Sequence, residues 1–179
     1  MKLLSTILLL LSINNTMATG VNLEKSSFTW TATKKVGSGH TGVIKLKEAN
    51  INVSKGILTS GNFVADINSI NVTDLSGEWR DKFLGHIKSA DFFNVQKFPT
   101  ATFKITQVRD GYLYGILTIK GKSQNVSMPY KKTGKAYVAE FEFDRTKFDM
   151  IYGSGNFFKG LGDKVIKDLV HLKIKLVTK

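Results

Sequence analysis

The chain of 179 residues contains no cysteine and only two prolines. Without cysteine it can form neither a disulfide nor a zinc–thiolate site, and it can carry neither a thiol nucleophile nor a cysteine-linked lipid anchor. Acidic residues are also scarce, with 14 Asp and Glu against 26 Lys and Arg, which gives a formal net charge of +12. The basic residues are scattered along the chain, whereas nucleic-acid binding typically relies on clustered cations. We therefore predict no nucleic-acid partner.

Long apolar runs are missing except near the N-terminus. Lys2 is followed by the largely apolar residues 3–13 and then by the small residues of 16–20. This order is typical of a secretory signal peptide, and the apolar run is about half the ~20 residues needed to cross a bilayer. We predict a signal peptide over residues 1–18, a domain over 19–179 with no transmembrane segment, and a periplasmic or secreted location.

The remaining sequence alternates apolar and polar residues, the pattern of strands with one buried face. Turn signals such as Asp110-Gly111 and Thr133-Gly134 separate these segments. Eight strands are predicted, over residues 25–36, 40–53, 57–68, 100–109, 112–120, 123–132, 136–144 and 166–178. Two stretches interrupt the alternation: helical spacing within 74–89 predicts a short helix, and the Gly-rich residues 152–164 predict a structured loop. Because closure removes exposed sheet edges, we predict an all-β fold, an eight-stranded antiparallel barrel.

One face of every strand must point into such a barrel, and its residues are mainly aromatic and aliphatic. These side chains could simply pack against one another, or they could line a cavity for one small ligand. We predict one continuous apolar cavity lined by Phe28, Trp30, Ile44, Leu46, Phe63, Phe103, Ile105, Leu117, Ile119, Phe141, Phe143, Leu172 and Ile174.

Motifs for catalysis or metal binding are weak. The three histidines, His40, His86 and His171, match no compact metal-binding spacing. Ser154 lies between two glycines, but the Gly-x-Ser-x-Gly elbow of hydrolases is missing, as is a phosphate-binding Gly-Lys-Ser/Thr motif. We therefore predict no catalytic residues, no metal and no cofactor, and a protein that is not an enzyme.

The most specific segment is residues 80–103, RDKFLGHIKSADFFNVQKFPTATF. Together with residues 66–70, 115–121 and 143–148, in this order, it resembles the YceI-like family of exported lipid- or polyisoprenoid-binding bacterial proteins. The resemblance implies a lipocalin-like eight-stranded barrel with a long isoprenoid chain in its interior. One departure is Asp149, which replaces a glycine that often follows the Asp-Arg turn; Asp tolerates left-handed backbone geometry better than most residues.

Function follows as an expectation from the barrel and the resemblance. An apolar interior suits the tail of an amphipathic isoprenoid-type lipid, and Arg80 and His86 are candidates for contacting its head group. The alternative is a barrel with a packed interior that acts as an envelope stress or interaction protein through its basic surface. The sequence leaves the identity of the lipid, its donor and acceptor, and a possible homodimer open.

Overall fold

The computed structural model describes residues 17–179, of which the side chain of Met17 is not described. The predicted signal peptide, residues 1–18, lies outside this part of the chain except for its last two residues, with which the first strand begins. Eight antiparallel strands form a closed barrel in which each strand pairs with its neighbours in the sequence, and the last pairs with the first. The strands are β1 Met17–Lys34, β2 Gly39–Ser54, β3 Ile57–Val72, β4 Thr100–Arg109, β5 Tyr112–Ile119, β6 Lys122–Thr133, β7 Ala136–Asp144 and β8 Ile166–Thr178.

The predicted all-β barrel is thus confirmed, and most strand limits agree within one or two residues. The clearest differences are that β1 begins eight residues earlier than predicted and β3 ends four residues later. The extension of β3 involves a shift of register against β2: Lys45 lies opposite Asp66, but Val43 lies opposite Asn71. Such a bulge reverses which side chains point inward, so Ile70 and Val72 are buried although they have the opposite parity to Ile67.

Strands β1 and β2 approach each other closely at Trp30. Trp30 lies opposite Gly42 of β2 and Leu172 of β8. A Cβ atom at Gly42 would lie 2.5 Å from the indole ring and 1.9 Å from the carbonyl oxygen of Asn71. Only glycine leaves the space that the buried indole requires.

The two ends of the barrel differ in how they are covered. At one end, here the closed end, short turns join β2 to β3, β4 to β5 and β6 to β7, and large buried side chains fill the interior: Leu58, Leu113, Met128, Tyr137 and Leu176. At the opposite end, here the mouth, lie the β1–β2 hairpin, the long β3–β4 connection and the β7–β8 loop.

Helix α1, Gly77–Lys88, belongs to the β3–β4 connection and confirms the short helix predicted within 74–89. Its Phe83, Leu84 and Ile87 pack against Trp30 and its neighbours, and no residue of the helix is fully buried. The predicted structured loop at 152–164 is also present, held by backbone hydrogen bonds such as Ile166 N to Gly153 O at 2.8 Å. No helix within residues 17–179 is long and apolar enough to cross a membrane.

Candidate ligand-binding site

A continuous cavity of about 500 Å³ occupies the barrel interior. It runs from Lys34, His40 and Tyr152 at the mouth to Met128 and Tyr137 at the closed end. Side chains of all eight strands and of α1 contribute to its wall, and most of them are apolar. The two groups of buried apolar residues, one around Trp30 and one filling the rest of the barrel, border this same cavity.

Twelve of the thirteen residues predicted to line the cavity do so, namely Phe28, Trp30, Ile44, Leu46, Phe63, Phe103, Leu117, Ile119, Phe141, Phe143, Leu172 and Ile174. Ile105 does not: it points inward but is buried within the packed core. It lies opposite Gly61 and Gly115, and the rings of Phe63 and Phe103 lie over these glycines. The two rings, 6.1 Å apart, therefore face the cavity where Ile105 was expected.

The closed end contains two tyrosines whose ring centroids are 6.3 Å apart, Tyr130 and Tyr137. Burial raises the pKa of both hydroxyls above the ordinary value, and for Tyr130 the neighbouring Tyr137 adds to the shift. Both phenols are consequently neutral at physiological pH, so the deep part of the cavity carries no charge from them.

At the mouth, α1 lies across the β1–β2 side of the barrel. The Phe83 ring stacks on Trp30 at 6.1 Å and packs against the imidazole of His40 at 4.7 Å. Nδ1 of His40 lies 3.1 Å from a carboxylate oxygen of Asp74, just before the helix. The backbone N–H of Thr41 donates to the other oxygen of this carboxylate, at 3.3 Å. One acidic residue thus ties the start of the helical segment to the hairpin.

His86, at the other end of α1, is the predicted head-group candidate that reaches the cavity. Its Nε2 lies 3.3 Å from Asp91, and its ring packs edge-on against Phe92 and Tyr152. Arg80, the second candidate, does not line the cavity, because it lies on the exposed side of α1 with its guanidinium 3.0 Å from Asp81.

A buried arginine holds the β7–β8 loop against the mouth. Arg145 is 2% exposed and donates hydrogen bonds to the carbonyl oxygens of Met150, Tyr152, Ile166 and Lys167 and to the carboxylate of Asp168. Burial lowers the pKa of its guanidinium from the ordinary value, while the Asp168 and Asp144 carboxylates act in the opposite direction. The group stays charged because arginine starts from a very high pKa.

The turn that presents Arg145 is a 3-10 helix, Arg145–Phe148. The Asp144 side chain accepts hydrogen bonds from the backbone N–H and the hydroxyl of Thr146, so it caps this helix. Asp149 ends the helix with φ +62°, in the left-handed geometry that we expected Asp to tolerate at this position.

The described residues include few groups arranged for metal binding or catalysis. Within the described residues, no group of three or more His, Cys, Asp or Glu side chains could hold a metal ion. His171 lies outside the barrel, 3.6 Å from Glu140. Ser154 is fully buried in the β7–β8 loop, where its oxygen atoms accept backbone hydrogen bonds from residues 156–158.

Sequence reasoning missed several residues of the cavity wall. Phe83 and Ile87 could have been predicted, because their helical spacing was recognised in the sequence but was not connected to the cavity. Ile70 was missed because the bulge in β3 reverses the side-chain alternation. His40 reaches the mouth from the start of β2 and Tyr152 from the β7–β8 loop, and no local pattern in the sequence indicates that both line the same cavity.

Solved structures of other proteins share this barrel. BcnA of Burkholderia cenocepacia superposes with a TM-score of 0.69 at 22% identity, over 89% of this chain and 99% of that protein. A polyisoprenoid binding domain from Saccharophagus degradans gives 0.62 at 13% identity, over 90% and 97% of the two chains. The YCEI protein of Campylobacter jejuni gives 0.57 at 18% identity, over 76% and 84%. At these identities the likeness concerns the fold.

Sequence comparison provides the family. UPF0312 proteins of Yersinia pestis and Yersinia enterocolitica are 40% identical over 78 residues, which is 41% of this chain and 38% of theirs. The matched segment therefore spans less than half of these relatives. The family model of the YceI-like domain, in contrast, matches residues 20–178. With nearly the whole described barrel covered by this match, the chain belongs to the YceI-like family.

Proposed function

We propose that this protein binds an amphipathic lipid of the isoprenoid type, with the apolar tail inside the barrel and the head group at the mouth. The observation that carries the proposal is the continuous apolar cavity of about 500 Å³ between the mouth and the closed end. A barrel with a fully packed interior, the alternative considered from the sequence, would leave no such volume. Family membership supports the same function, as does the shared fold of the polyisoprenoid binding domain of Saccharophagus degradans.

The cavity volume limits the length of the tail. A methylene group occupies roughly the volume of a water molecule, about 30 Å³, so the cavity accommodates on the order of 15 to 20 carbon atoms. This corresponds to roughly three or four isoprene units. The buried side chains of Leu58, Met128 and Leu176 close the far end, so a longer tail would have to leave part of its length at the mouth.

The mouth offers the polar groups that a head group needs. Side chains that line the cavity here carry such groups, namely Lys34, His40, His86, Lys164 and, through its hydroxyl, Tyr152. A phosphate or pyrophosphate would find cationic donors among them, and a quinone or alcohol would find hydrogen-bond donors. The protein's role in this proposal is to hold and shield the tail, and no chemical step is assigned to it.

We also propose that the protein acts outside the cytoplasm. The support is the signal-like order of residues 2–20 in the sequence, which lie almost entirely outside the described part of the chain. A carrier for a water-insoluble lipid would there connect membranes or enzymes across an aqueous space.

The test is to extract protein purified from its own host with organic solvent and to identify the lipids by mass spectrometry. Native mass spectrometry of the same sample gives the stoichiometry. We expect one apolar-tailed lipid per chain, which solvent extraction removes. An empty cavity in native mass spectra, together with no rebinding of geranylgeraniol by the extracted protein, would contradict the proposal.

Rebinding can be followed by tryptophan fluorescence because the two tryptophans report on different places. Trp30 borders the cavity, whereas Trp79 is exposed on α1. In the variant Trp79→Phe, Trp30 is the remaining tryptophan, so a change in tryptophan emission on adding geranylgeraniol reports on the cavity. Saturation at one ligand per chain is expected, and a linear, non-saturating change would indicate adsorption to the surface.

A further inference from the structure

Large apolar side chains are exposed around the mouth, where water should disfavour them. Trp79 of α1 is 74% exposed and Phe157 of the β7–β8 loop is 55% exposed; Phe158 and Val36 of the β1–β2 hairpin are exposed as well. We call these four residues the mouth rim. None of them lines the cavity. Grouped exposed apolar residues of this size mark interaction sites on many proteins.

The three elements that carry the mouth rim are joined to one another. The backbone N–H of Lys35 donates to the carbonyl oxygen of Val165 at 2.8 Å, which connects the β1–β2 hairpin to the end of the β7–β8 loop. Phe83 of α1 packs on His40 of the same hairpin. Trp79 precedes Phe83 by one helical turn and shares its side of the helix. The mouth rim therefore belongs to connected elements at the mouth of the barrel.

Positive charge accompanies these apolar side chains. The carboxylates of Asp74 and Asp168 near the mouth already face His40 and Arg145, and those of Glu78 and Asp81 face basic neighbours on α1. In the part of the chain that the structure describes, five exposed lysines of the hairpin and the loop lie within ion-pair distance of no carboxylate: Lys34, Lys35, Lys147, Lys159 and Lys164.

We propose that the mouth rim docks on the surface of an anionic lipid bilayer, with its aromatic side chains in the interfacial layer and the cavity opening turned toward the membrane. Aromatic residues favour the head-group region, and lysines near an anionic surface add electrostatic attraction. These lysines complement the negative lipid head groups, and they outnumber the exposed carboxylates of the same hairpin and loop that lie in no ion pair, those of Asp149 and Asp163. Docking is a property of the outer surface and does not require an occupied cavity, so it goes beyond the binding function proposed above.

The test is cosedimentation of the purified protein with vesicles of phosphatidylcholine alone or of phosphatidylcholine mixed with phosphatidylglycerol. We expect binding to the mixed vesicles, weakened by added salt because screening reduces the electrostatic part. The double variant F157S/F158S should lower the partition coefficient by about tenfold or more, because it removes two aromatic rings whose apolar surface would be buried in the membrane interface.

The closed end provides a matched control. Ile57 is 60% exposed and Tyr112 is also exposed, and both flank turns of that end. The double variant I57S/Y112S removes a comparable apolar surface without changing the charge. It should bind the mixed vesicles like the unaltered protein. Emission of Trp79 should in addition shift to the blue on vesicle addition, and the variant Trp79→Phe should lose this shift.

Three results would overturn docking through the mouth rim. The first is equal partitioning of the F157S/F158S variant and the unaltered protein, and the second is an equal loss of vesicle binding in both double variants. The third is a dimer of the unaltered protein that the F157S/F158S change dissociates, while neither protein binds vesicles. The last result would assign the surface to a second copy of the chain. Binding of geranylgeraniol in the absence of vesicles tests the cavity separately, so failure of docking and failure of lipid binding can be told apart.

Discussion

Replacing Arg145 by methionine keeps a long apolar side chain but removes every donor of the guanidinium. The four carbonyl oxygens and the Asp168 carboxylate that it contacts would all lose a partner. Five charge-assisted hydrogen bonds at about 1.5–3 kcal/mol each would add up to most or all of the stability of an ordinary domain, about 5–15 kcal/mol. That sum overcounts, because Tyr152 is exposed and Asn156 still donates to Asp168 at 2.6 Å.

We therefore expect Arg145→Met to lower the free energy of unfolding by about 3–5 kcal/mol, the range for breaking a buried ion pair from one side. Equilibrium unfolding in urea measures this loss, with an unchanged m-value as the sign that the unfolding transition is otherwise the same. Hydrogen exchange should accelerate at the amides of Phe157 and Phe158, whose hydrogen bonds belong to the loop that Arg145 anchors.

Two companion variants separate charge from geometry. Arg145→Lys keeps the charge but cannot reach five acceptors with a single ammonium, so it should recover only part of the loss. Asp168→Asn keeps the four carbonyl contacts and should cost about 1–2 kcal/mol. A loss below about 1 kcal/mol for Arg145→Met would refute the conclusion that this residue anchors the mouth.

Three further predictions concern the cavity, the core and the N-terminus. Leu117→Trp should abolish copurification of lipid, and overpacking should lower the free energy of unfolding by about 1–3 kcal/mol. Ile116→Trp, on the exposed face of the same strand, should retain the lipid. Mass spectrometry of extracts distinguishes the two variants, and equal lipid content would contradict the inward position of Leu117. Phe103→Ala should cost about 3–5 kcal/mol in urea unfolding, because its ring packs against Phe63 and over Gly115, and a cost below about 1 kcal/mol would remove it from the core. N-terminal sequencing of the exported protein should begin near Thr19, and an intact N-terminus in a soluble envelope fraction would argue against a cleaved signal peptide.

The strands and their inward faces could be predicted because both depend on local alternation. In β4, β5, β7 and β8 the predicted limits agree with the structure to within one residue, although the alternation of β4 is interrupted by a register shift between Ile105 and Gln107. Because a strand has a period of two, one correct inward residue determines the others on the same strand. Twelve of the thirteen predicted cavity residues follow from this rule.

The exceptions arise where local alternation does not determine which side chains line the cavity. Ile105 obeys the inward parity but is covered, because glycines at 61 and 115 let two phenylalanine rings lie beside it. Ile70 lines the cavity against the parity of Ile67, because three extra residues of β3 are accommodated opposite β2. Both outcomes depend on the residues and the register of the neighbouring strands at that position along the barrel axis.

The sequence by itself thus determined the fold class, the order of the strands, the helix and the family, since periodicity, turn residues and a continuous motif are properties of neighbouring residues. The tertiary structure alone decided that the interior holds a cavity of about 500 Å³, because its volume depends on how rings from different strands share the space. It also decided the composition of the mouth, where His86 packs against Tyr152 and His40 against Phe83, and the role of Arg145, whose acceptors lie up to 23 residues away in the chain. These contacts join segments that are distant in sequence, and closure of the barrel is what brings them within reach of one another.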